Sequence, residues 1–230
     1  MSSEIALALS FSVLLGYFIG SVNFAVIIAR TQGVDIMQEG SKNPGATNVK
    51  RVLGNNLGNL VFAFDALKGA SGTFLPFFIL WALDVNYVNP KLTFQTAFSN
   101  PNTSYLLVFA FVGTIIGHCY SIFLKFNGGK GVASTIGGLL VIMPIPILVG
   151  AVVWLIAFKY TRYVSVASIA LGLSLPISCL ILQRFYPASD YQSAHIIFAL
   201  GIAVFNIWTH RANISRLRKG TESRFGGTPK

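Results

Sequence analysis

The number of membrane crossings in this chain depends on residues 133–158, which read ASTIGGLLVIMPIPILVGAVVWLIAF. One transmembrane helix needs about 20 apolar residues, and this run is longer. Pro144 and Pro146 interrupt it, and proline breaks the helical hydrogen-bond ladder. The segment therefore forms either one kinked helix or a tight hairpin of two short helices.

Similar apolar runs surround this segment, at about 5–29, 57–82, 105–124, 164–183 and 194–209. Hydrophobic residues make up 53% of the 230-residue chain and charged residues only 10%, whereas soluble domains carry roughly a quarter charged residues. A water-exposed surface is not built from so few charges. We therefore expect a single membrane-embedded domain over residues 1–230, all-α in fold, with the first run as one retained helix.

The basic residues favour the hairpin. The chain carries 17 basic and 7 acidic residues, a net charge of +10, and most of the basic residues lie at the ends of apolar runs. A single crossing would place Lys159 and Arg162 on the opposite side of the membrane from Lys125 and Lys130, which violates the positive-inside rule. A hairpin over 134–158 keeps all four on one side.

The hairpin predicts an integral membrane protein with seven transmembrane helices, the N-terminus outside and the C-terminus inside. Only Lys91 and Arg184 then lie in outer loops, while the inner basic loops face anionic lipid headgroups. The inner segments are 30–56, 125–131, 159–162 and the tail after His210. We expect the tail to be loosely ordered. Because the positive charge has this role, we predict no nucleic-acid partner.

The first polar block is the loop at residues 40–48, GSKNPGATN, followed by Arg51. Small and amide residues alternate there without apolar periodicity. Backbone N–H groups, hydroxyls and amides, together with a planar arginine cation, suit a phosphate group. The alternative is a turn-rich connector that caps the next helix.

Asp65 and Lys68 lie inside the apolar run 57–82 and share a helix face because they are three residues apart. Ionisable groups within a membrane segment are costly and usually functional. The alternative is a self-neutralising pair that only stabilises packing, but apolar residues usually do this better. We therefore expect this pair to belong to a functional site.

The third block runs from Gly117-His118 to Asn127-Gly128-Gly129-Lys130-Gly131, before the next apolar run. Glycine amides, the start of a helix and the lysine cation together form a cradle for an anion. The spacing is not that of a Walker A loop, so a nucleotide is not implied. The alternative is a flexible turn with a snorkelling lysine.

Two later helix ends carry further polar residues. Tyr163 to Ser168 follow the 159–162 turn, while His210 and Asn213 end the last helix and share a face. Taken singly, these residues are more typical of capping. In the seven-helix topology, however, all four blocks lie at cytoplasmic helix ends. This agreement predicts one cationic, anion-binding site at that membrane interface.

These blocks resemble the motifs of the acyl-phosphate:glycerol-3-phosphate acyltransferases of the PlsY type. Residues 40–48 with Arg51 are similar to the first family motif, 65–69 to the second and 117–133 to the third. The resemblance extends in order to both ends of the chain, through Gly20-Ser21, Tyr163 to Ser168, His210-Arg211 with Asn213, and Glu222 to Phe225.

The resemblance implies transfer of a fatty acyl group from acyl-phosphate to the 1-hydroxyl of glycerol-3-phosphate, which gives lysophosphatidic acid and phosphate. It also implies a seven-helix fold in the bacterial inner membrane, with the active site on the cytoplasmic side. No metal, cofactor or obligate protein partner is implied. Phospholipid synthesis would begin with this acylation.

The resemblance also implies which residues form the site. The expected catalytic residues are Ser41, Arg51, His118 and Lys130. The expected substrate-binding residues are Gly40, Asn43, Gly45, Asn48, Asp65, Lys68, Gly69, Gly128, Gly129, Gly131, Ser168, His210 and Asn213. Either His118 or the donor's own phosphate is the base.

Two other functions fit an apolar, cationic chain. A small transporter would hold its sites near the bilayer midplane, often between internal repeats, and no repeat is visible in this sequence. A membrane phosphatase acting on lipid phosphates is the rival class of enzyme. Release of phosphate from acyl-phosphate without an acceptor would indicate it.

Overall fold

The computed structural model describes residues 3–82, 101–186 and 193–226. The chain divides into two compact units, Met1–Ile142 and Met143–Lys230. Helices joined by turns and loops, with no strand, make up the described residues, which confirms the predicted all-α class. Lys91, Lys230 and most of the outer segment 84–104 lie outside those residues.

The described residues of the first unit form six α-helices. They are α1 (Ser3–Ser21), α2 (Phe24–Thr31), α3 (Ala46–Leu53), α4 (Asn55–Ala82), α5 (Pro101–Cys119) and α6 (Val132–Ile142), with a short 3-10 helix at Ile122–Leu124. The helices of the second unit are α7 (Pro144–Thr161), α8 (Val164–Phe185), α9 (Ser193–Thr209) and α10 (Arg211–Arg218).

Several stretches are long and apolar enough to cross a membrane. Among the described residues four qualify outright, and the bent pair α9–α10 makes a possible fifth; the four are Ser3–Thr31, Ser104–Leu124, Pro144–Thr161 and Val164–Phe185. Many large apolar side chains on these helices are exposed, among them Leu7 at 73% and Leu155 at 61%. Such a surface is stable only against lipid.

Close helix contacts hold the first unit together. On α1, a Cβ at Gly16 or Gly20 would collide with a carbonyl of α5, and Gly113 and Gly117 of α5 meet α1 carbonyls in the same way. Each pair is four residues apart, the spacing that lets two membrane helices approach backbone to backbone. Small residues therefore set the α1–α5 distance.

The apolar run 133–158 divides at Met143, where α6 ends and α7 begins. Pro144 occupies the first turn of α7, where its missing N–H would have no helical partner. The run therefore divides into two helices at the prolines, of 11 and 18 residues. The hairpin over 134–158 stays a prediction.

The predicted first span over 5–29 is confirmed as one candidate span, Ser3–Thr31, but the helix within it breaks at Val22 and Asn23 between α1 and α2. The Asn23 side chain accepts a hydrogen bond from the backbone N–H of Val26 at 2.9 Å. An asparagine that caps a new helix in this way competes with the preceding helix for the backbone.

The predicted loose order of the tail is wrong as far as residue 226. α9 ends at Thr209 and, after a bend of 57°, α10 begins at Arg211, so His210 and Asn213 do not end one continuous helix. Further on, the backbone N–H of Phe225 donates to the carbonyl of Arg162 at 2.9 Å. The tail is thus tied to the second unit.

Candidate active site

The break between α1 and α2 connects two of the predicted polar blocks. The carbonyl of Val22, freed from a helical partner, accepts a hydrogen bond from Lys68 Nζ at 2.7 Å. The next residue, Asn23, donates from Nδ2 to the carbonyl of Pro44 at 3.2 Å. Two adjacent residues therefore join the loop at 40–48 to the ionisable pair on α4.

Asp65 and Lys68 form a buried ion pair on α4, with Oδ1 and Nζ 2.8 Å apart. Lys68 Nζ also lies 3.1 Å from Nδ1 of the buried His118 on α5. The ammonium therefore contacts the Val22 carbonyl and His118 Nδ1 and is paired with the Asp65 carboxylate. The lysine charge is thereby compensated inside an apolar unit, which an isolated charge would destabilise.

The same contacts assign the tautomer of His118. Because Nδ1 accepts from the Lys68 ammonium, the proton of the neutral ring lies on Nε2. Ser134 Oγ of α6 lies 3.1 Å from Nδ1 as well. His118 is therefore held by α4 on one side and α6 on the other.

The glycine loop 128–131 packs directly on His118. The N–H of Gly129 donates to the His118 carbonyl at 3.1 Å, and a Cβ at Gly129 would collide with His118 Nε2. A Cβ at Gly128 would meet the same carbonyl, and Gly131 has a φ of +80°, which favours glycine. The half-buried Lys130 lies between these glycines, just before α6.

The loop at 40–48 is organised by Asn48. Its Oδ1 accepts from the N–H of Ser41 at 2.8 Å, while its Nδ2 donates to the carbonyls of Ile36 at 3.2 Å and Glu39 at 2.9 Å. Gly40, with a φ of +58°, lies against that Oδ1. Asn48 therefore shapes the loop from within, and only 1% of it is exposed.

Ser41 and Arg51, in contrast, are exposed, the latter in the last turn of α3. Gly45 precedes α3 as its N-cap, and Asn43, which is partly buried, accepts the Gly45 N–H at its own carbonyl at 2.9 Å. Gly69 has another environment, since a Cβ there would collide with the Ser134 carbonyl. That position serves the contact between α4 and α6.

In the second unit, Glu222 collects three hydrogen bonds. Oε1 accepts from Asn213 Nδ2 at 2.6 Å and from Ser165 Oγ at 2.8 Å, and Oε2 accepts from Arg216 Nε at 2.7 Å. Burial raises the pKa of Glu222, but the hydrogen bonds from Asn213, Ser165 and Arg216 outweigh it and lower the pKa below its ordinary value. The carboxylate thus holds the α10 residue Asn213 in place.

His210 and Ser168 are also oriented within the second unit. His210 Nδ1 lies 2.9 Å from the Asn206 carbonyl, so Nδ1 carries the proton of the neutral ring. Ser168 Oγ donates to the Val164 carbonyl at 2.8 Å and accepts from Trp154 Nε1 at 3.3 Å. Both side chains are buried.

Three contributors are not among the site residues expected from the sequence. Ser134 and the Val22 carbonyl have no motif of their own. Glu222 had a detectable signal, since it is the last acidic residue of the chain and follows a tail rich in arginine and lysine. One carboxylate among so many cations predicts an ion pair.

Together, the fold and these contacts define a helical membrane protein with a connected polar network in each of its two units. A model of the family described as "Glycerol-3-phosphate acyltransferase" matches residues 10–220. The chain belongs to that family.

Curated relatives with the same description match this chain along nearly their whole length. The chain is 35% identical over 218 residues to the glycerol-3-phosphate acyltransferase of Shouchella clausii, covering 94% of this chain and 95% of the relative. It is 37% identical over 215 residues to that of Aquifex aeolicus, covering 94% and 98%.

Two solved structures of one protein are similar to this chain. A crystal structure of PlsY (YgiH), described as an integral membrane glycerol 3-phosphate acyltransferase in its glycerol 3-phosphate form, is 36% identical, with a TM-score of 0.73 and coverage of 95% of this chain and 96% of that one. The lysophosphatidic acid form of the same protein has a TM-score of 0.72.

Proposed function

We propose that this protein transfers a fatty acyl group from acyl-phosphate to the 1-hydroxyl of sn-glycerol-3-phosphate, giving lysophosphatidic acid and phosphate. Family membership over nearly the whole chain supports the acyl acceptor. The observation that carries the proposal is the connection through Val22 and Asn23, which ties the loop of Ser41 to the cluster beneath the glycine loop of Lys130. Two anion-binding blocks are thereby built on one framework.

Charge neutralisation is the main task of such a site. Both substrates carry phosphate, and acyl-phosphate is a mixed anhydride that is already activated. We assign Lys130 and the amides of 128–131 to the donor phosphate, where they stabilise charge that develops as the bond breaks. We assign Ser41 and Arg51 to glycerol-3-phosphate, because the arginine fork matches phosphate oxygens.

By resemblance to the family, further residues belong to substrate binding in this proposal. The Nδ1 proton of His210 donates to a carbonyl, so its Nε2 has the lone pair and is oriented as an acceptor. Asn213 is fixed by the carboxylate of Glu222. We assign His210, Asn213 and Ser168 to recognition of glycerol-3-phosphate.

The acceptor hydroxyl attacks the carbonyl carbon of the donor, and the bond from that carbon to the phosphate oxygen breaks. The hydroxyl proton passes to the departing phosphate. Because the acceptor attacks the donor directly, no acyl-enzyme forms. His118 is the alternative base, but its Nδ1 accepts from Lys68 and its Nε2 lies against Gly129. This geometry favours a positioning role for His118 and the donor phosphate as base.

The proposal includes the topology. Seven helices would cross the bilayer if α4, α6 and α9 are counted with the four stretches already identified. The N-terminus would lie outside and the C-terminus inside a bacterial inner membrane, with Arg51 and Lys130 at the cytoplasmic interface. The topology would be refuted if one of these two positions were labelled only from outside the membrane and the other only from inside.

Purified protein tests the reaction when it is supplied with labelled glycerol-3-phosphate and either acyl-phosphate or acyl-CoA. We expect labelled lysophosphatidic acid from acyl-phosphate alone. Lys130→Met should reduce turnover at least about a hundredfold while the protein stays folded. Lys125→Met is the matched control, since it removes an exposed lysine from the same connection.

Other outcomes would replace the proposal. Product from acyl-CoA alone would refute the donor assignment. Phosphate released from acyl-phosphate at the same rate without glycerol-3-phosphate would indicate a phosphatase. Solute flux into liposomes without any product would indicate a transporter.

A further inference from the structure

A groove of about 390 Å³ lies where α9 meets α10, within the second unit. Its lining residues come only from the end of α9, from α10 and from the residue that follows; they are Ile207, Trp208, Arg211, Ile214, Ser215, Arg218 and Lys219. None of the candidate site residues lines it. The function proposed above therefore assigns no step to the groove.

The lining changes in character along the groove. Ile207 and Trp208 belong to the apolar helix α9, while Arg211, Arg218 and Lys219 follow the 57° bend. Tryptophan is enriched at the depth of lipid headgroups, and basic side chains lie just beyond it. The groove thus spans the depth at which a phospholipid changes from acyl chain to phosphate.

Its charge is of one sign. Among the described residues that line it, three are basic and none is acidic. The nearby Glu222 is hydrogen-bonded to Arg216 and Asn213, which do not line the groove. The cations of the groove are therefore not neutralised by a lining carboxylate.

One of these cations is already oriented. Arg211 Nη1 donates to the Trp208 carbonyl at 3.1 Å, and its guanidinium lies 4.7 Å from the centre of the Trp208 ring. Stacking of this kind leaves other guanidinium N–H groups for an anion, and it reduces the entropy lost on binding. Arg218 follows Arg211 by seven residues, two turns along the same face of α10.

We infer that this groove binds an anionic phospholipid of the surrounding bilayer, with the phosphate against Arg211, Arg218 and Lys219 and an acyl chain against Ile207 and Trp208. A soluble phosphate would use only the basic part, whereas a phospholipid matches both parts. Basic pockets beside membrane helices bind anionic headgroups in this way.

Native mass spectrometry of the delipidated full-length protein tests the inference, with phosphatidylglycerol and phosphatidylcholine as probes. We expect tighter binding of phosphatidylglycerol. The double variant Arg218→Gln/Lys219→Gln should bind it about 30-fold more weakly, five- to sixfold for each basic side chain lost. Thermal unfolding in detergent would show that the variant is folded.

The matched control removes the same charge elsewhere. Arg30→Gln/Lys159→Gln replaces two exposed basic residues that do not line the groove, and it should bind phosphatidylglycerol as the wild type does. A third variant, Ser215→Phe, keeps every charge but fills the groove. It should lose the same lipid adduct.

Four results would overturn the inference. The first is equal affinity of the wild type for the two lipids. The second is an equal loss in the double variant and its control, since net charge rather than the groove would then attract the lipid. The third is unchanged binding by Ser215→Phe. The fourth is displacement of the lipid by soluble glycerol-3-phosphate. None of these depends on turnover, so the inference and the proposed function are tested separately.

Discussion

Replacing Asp65 with asparagine isolates the contribution of the buried ion pair. Lys68 would keep the Val22 carbonyl and His118 Nδ1 as acceptors, but it would lose the opposite charge now 2.8 Å away. Breaking a buried ion pair by removing one partner costs about 3–5 kcal/mol. That is a large part of a typical unfolding free energy of roughly 5–15 kcal/mol, so we expect Asp65→Asn to unfold far more readily than the wild type.

Removing both charges should cost less than removing one. The double variant Asp65→Leu/Lys68→Met has no uncompensated ammonium, and apolar replacement of a buried pair is often neutral or stabilising. Its stability should therefore lie closer to the wild type than to Asp65→Asn. Its turnover should nevertheless be lower than that of the wild type, because methionine at position 68 cannot hydrogen-bond His118 and hold it beneath the glycine loop.

Thermal unfolding in detergent with a thiol-reactive fluorogenic dye suits this comparison. Cys119 and Cys179 are free and buried, so each becomes reactive only when the protein opens. Glu39→Gln, at an exposed carboxylate, is the control and should change the unfolding free energy by less than about 0.5 kcal/mol. A double variant as unstable as Asp65→Asn would refute the reasoning, since an uncompensated charge would then not be the cause.

Three further predictions concern single positions. His118→Asn, which keeps an acceptor near the place of Nδ1, should retain more turnover than His118→Leu; equal loss in both would favour the histidine as base. Gly129→Ala should lower kcat and also the unfolding free energy, by about 1–3 kcal/mol, because its Cβ displaces His118 or the loop, and wild-type kinetics would contradict this. The pKa of Glu222 is lowered from 4.5 in the fold, so its carboxylate stabilises the second unit above that pH and loses this effect as the pH falls through the lowered pKa. Glu222→Gln should therefore unfold about 2 kcal/mol more easily at neutral pH, with the difference vanishing in acid, and a pH-independent difference would contradict the ionic origin.

The sequence was sufficient for the class of fold and for the position of the break in 133–158. Apolar runs of membrane-spanning length and a shortage of charges leave few alternatives to helices in lipid. A pair of prolines interrupts a helix whatever tertiary structure surrounds it. Both properties are local, so they are readable from composition and spacing.

The sequence was also sufficient to single out the polar blocks, since glycines around a lysine and an acid–base pair inside an apolar run are unusual on their own. It was incomplete over 5–29, where the apolar run continues through a helix break, and misleading after His210, where the basic tail forms α10 instead of being loosely ordered. Asn23 and the bend before α10 interrupt the helices through hydrogen bonds and packing that hydropathy does not register.

Only the tertiary structure decided which of the expected site residues hold other parts of the protein in place. Asn48, Gly69 and His118 have the residue types of a binding site, yet their partners are a loop backbone, a helix carbonyl and a buried lysine. The partners of Gly69 and His118 are distant along the chain, as Val22 is from Lys68. The physical reason is that a hydrogen-bonding group has a fixed number of donors and acceptors, and only the folded chain determines whether protein or substrate occupies them.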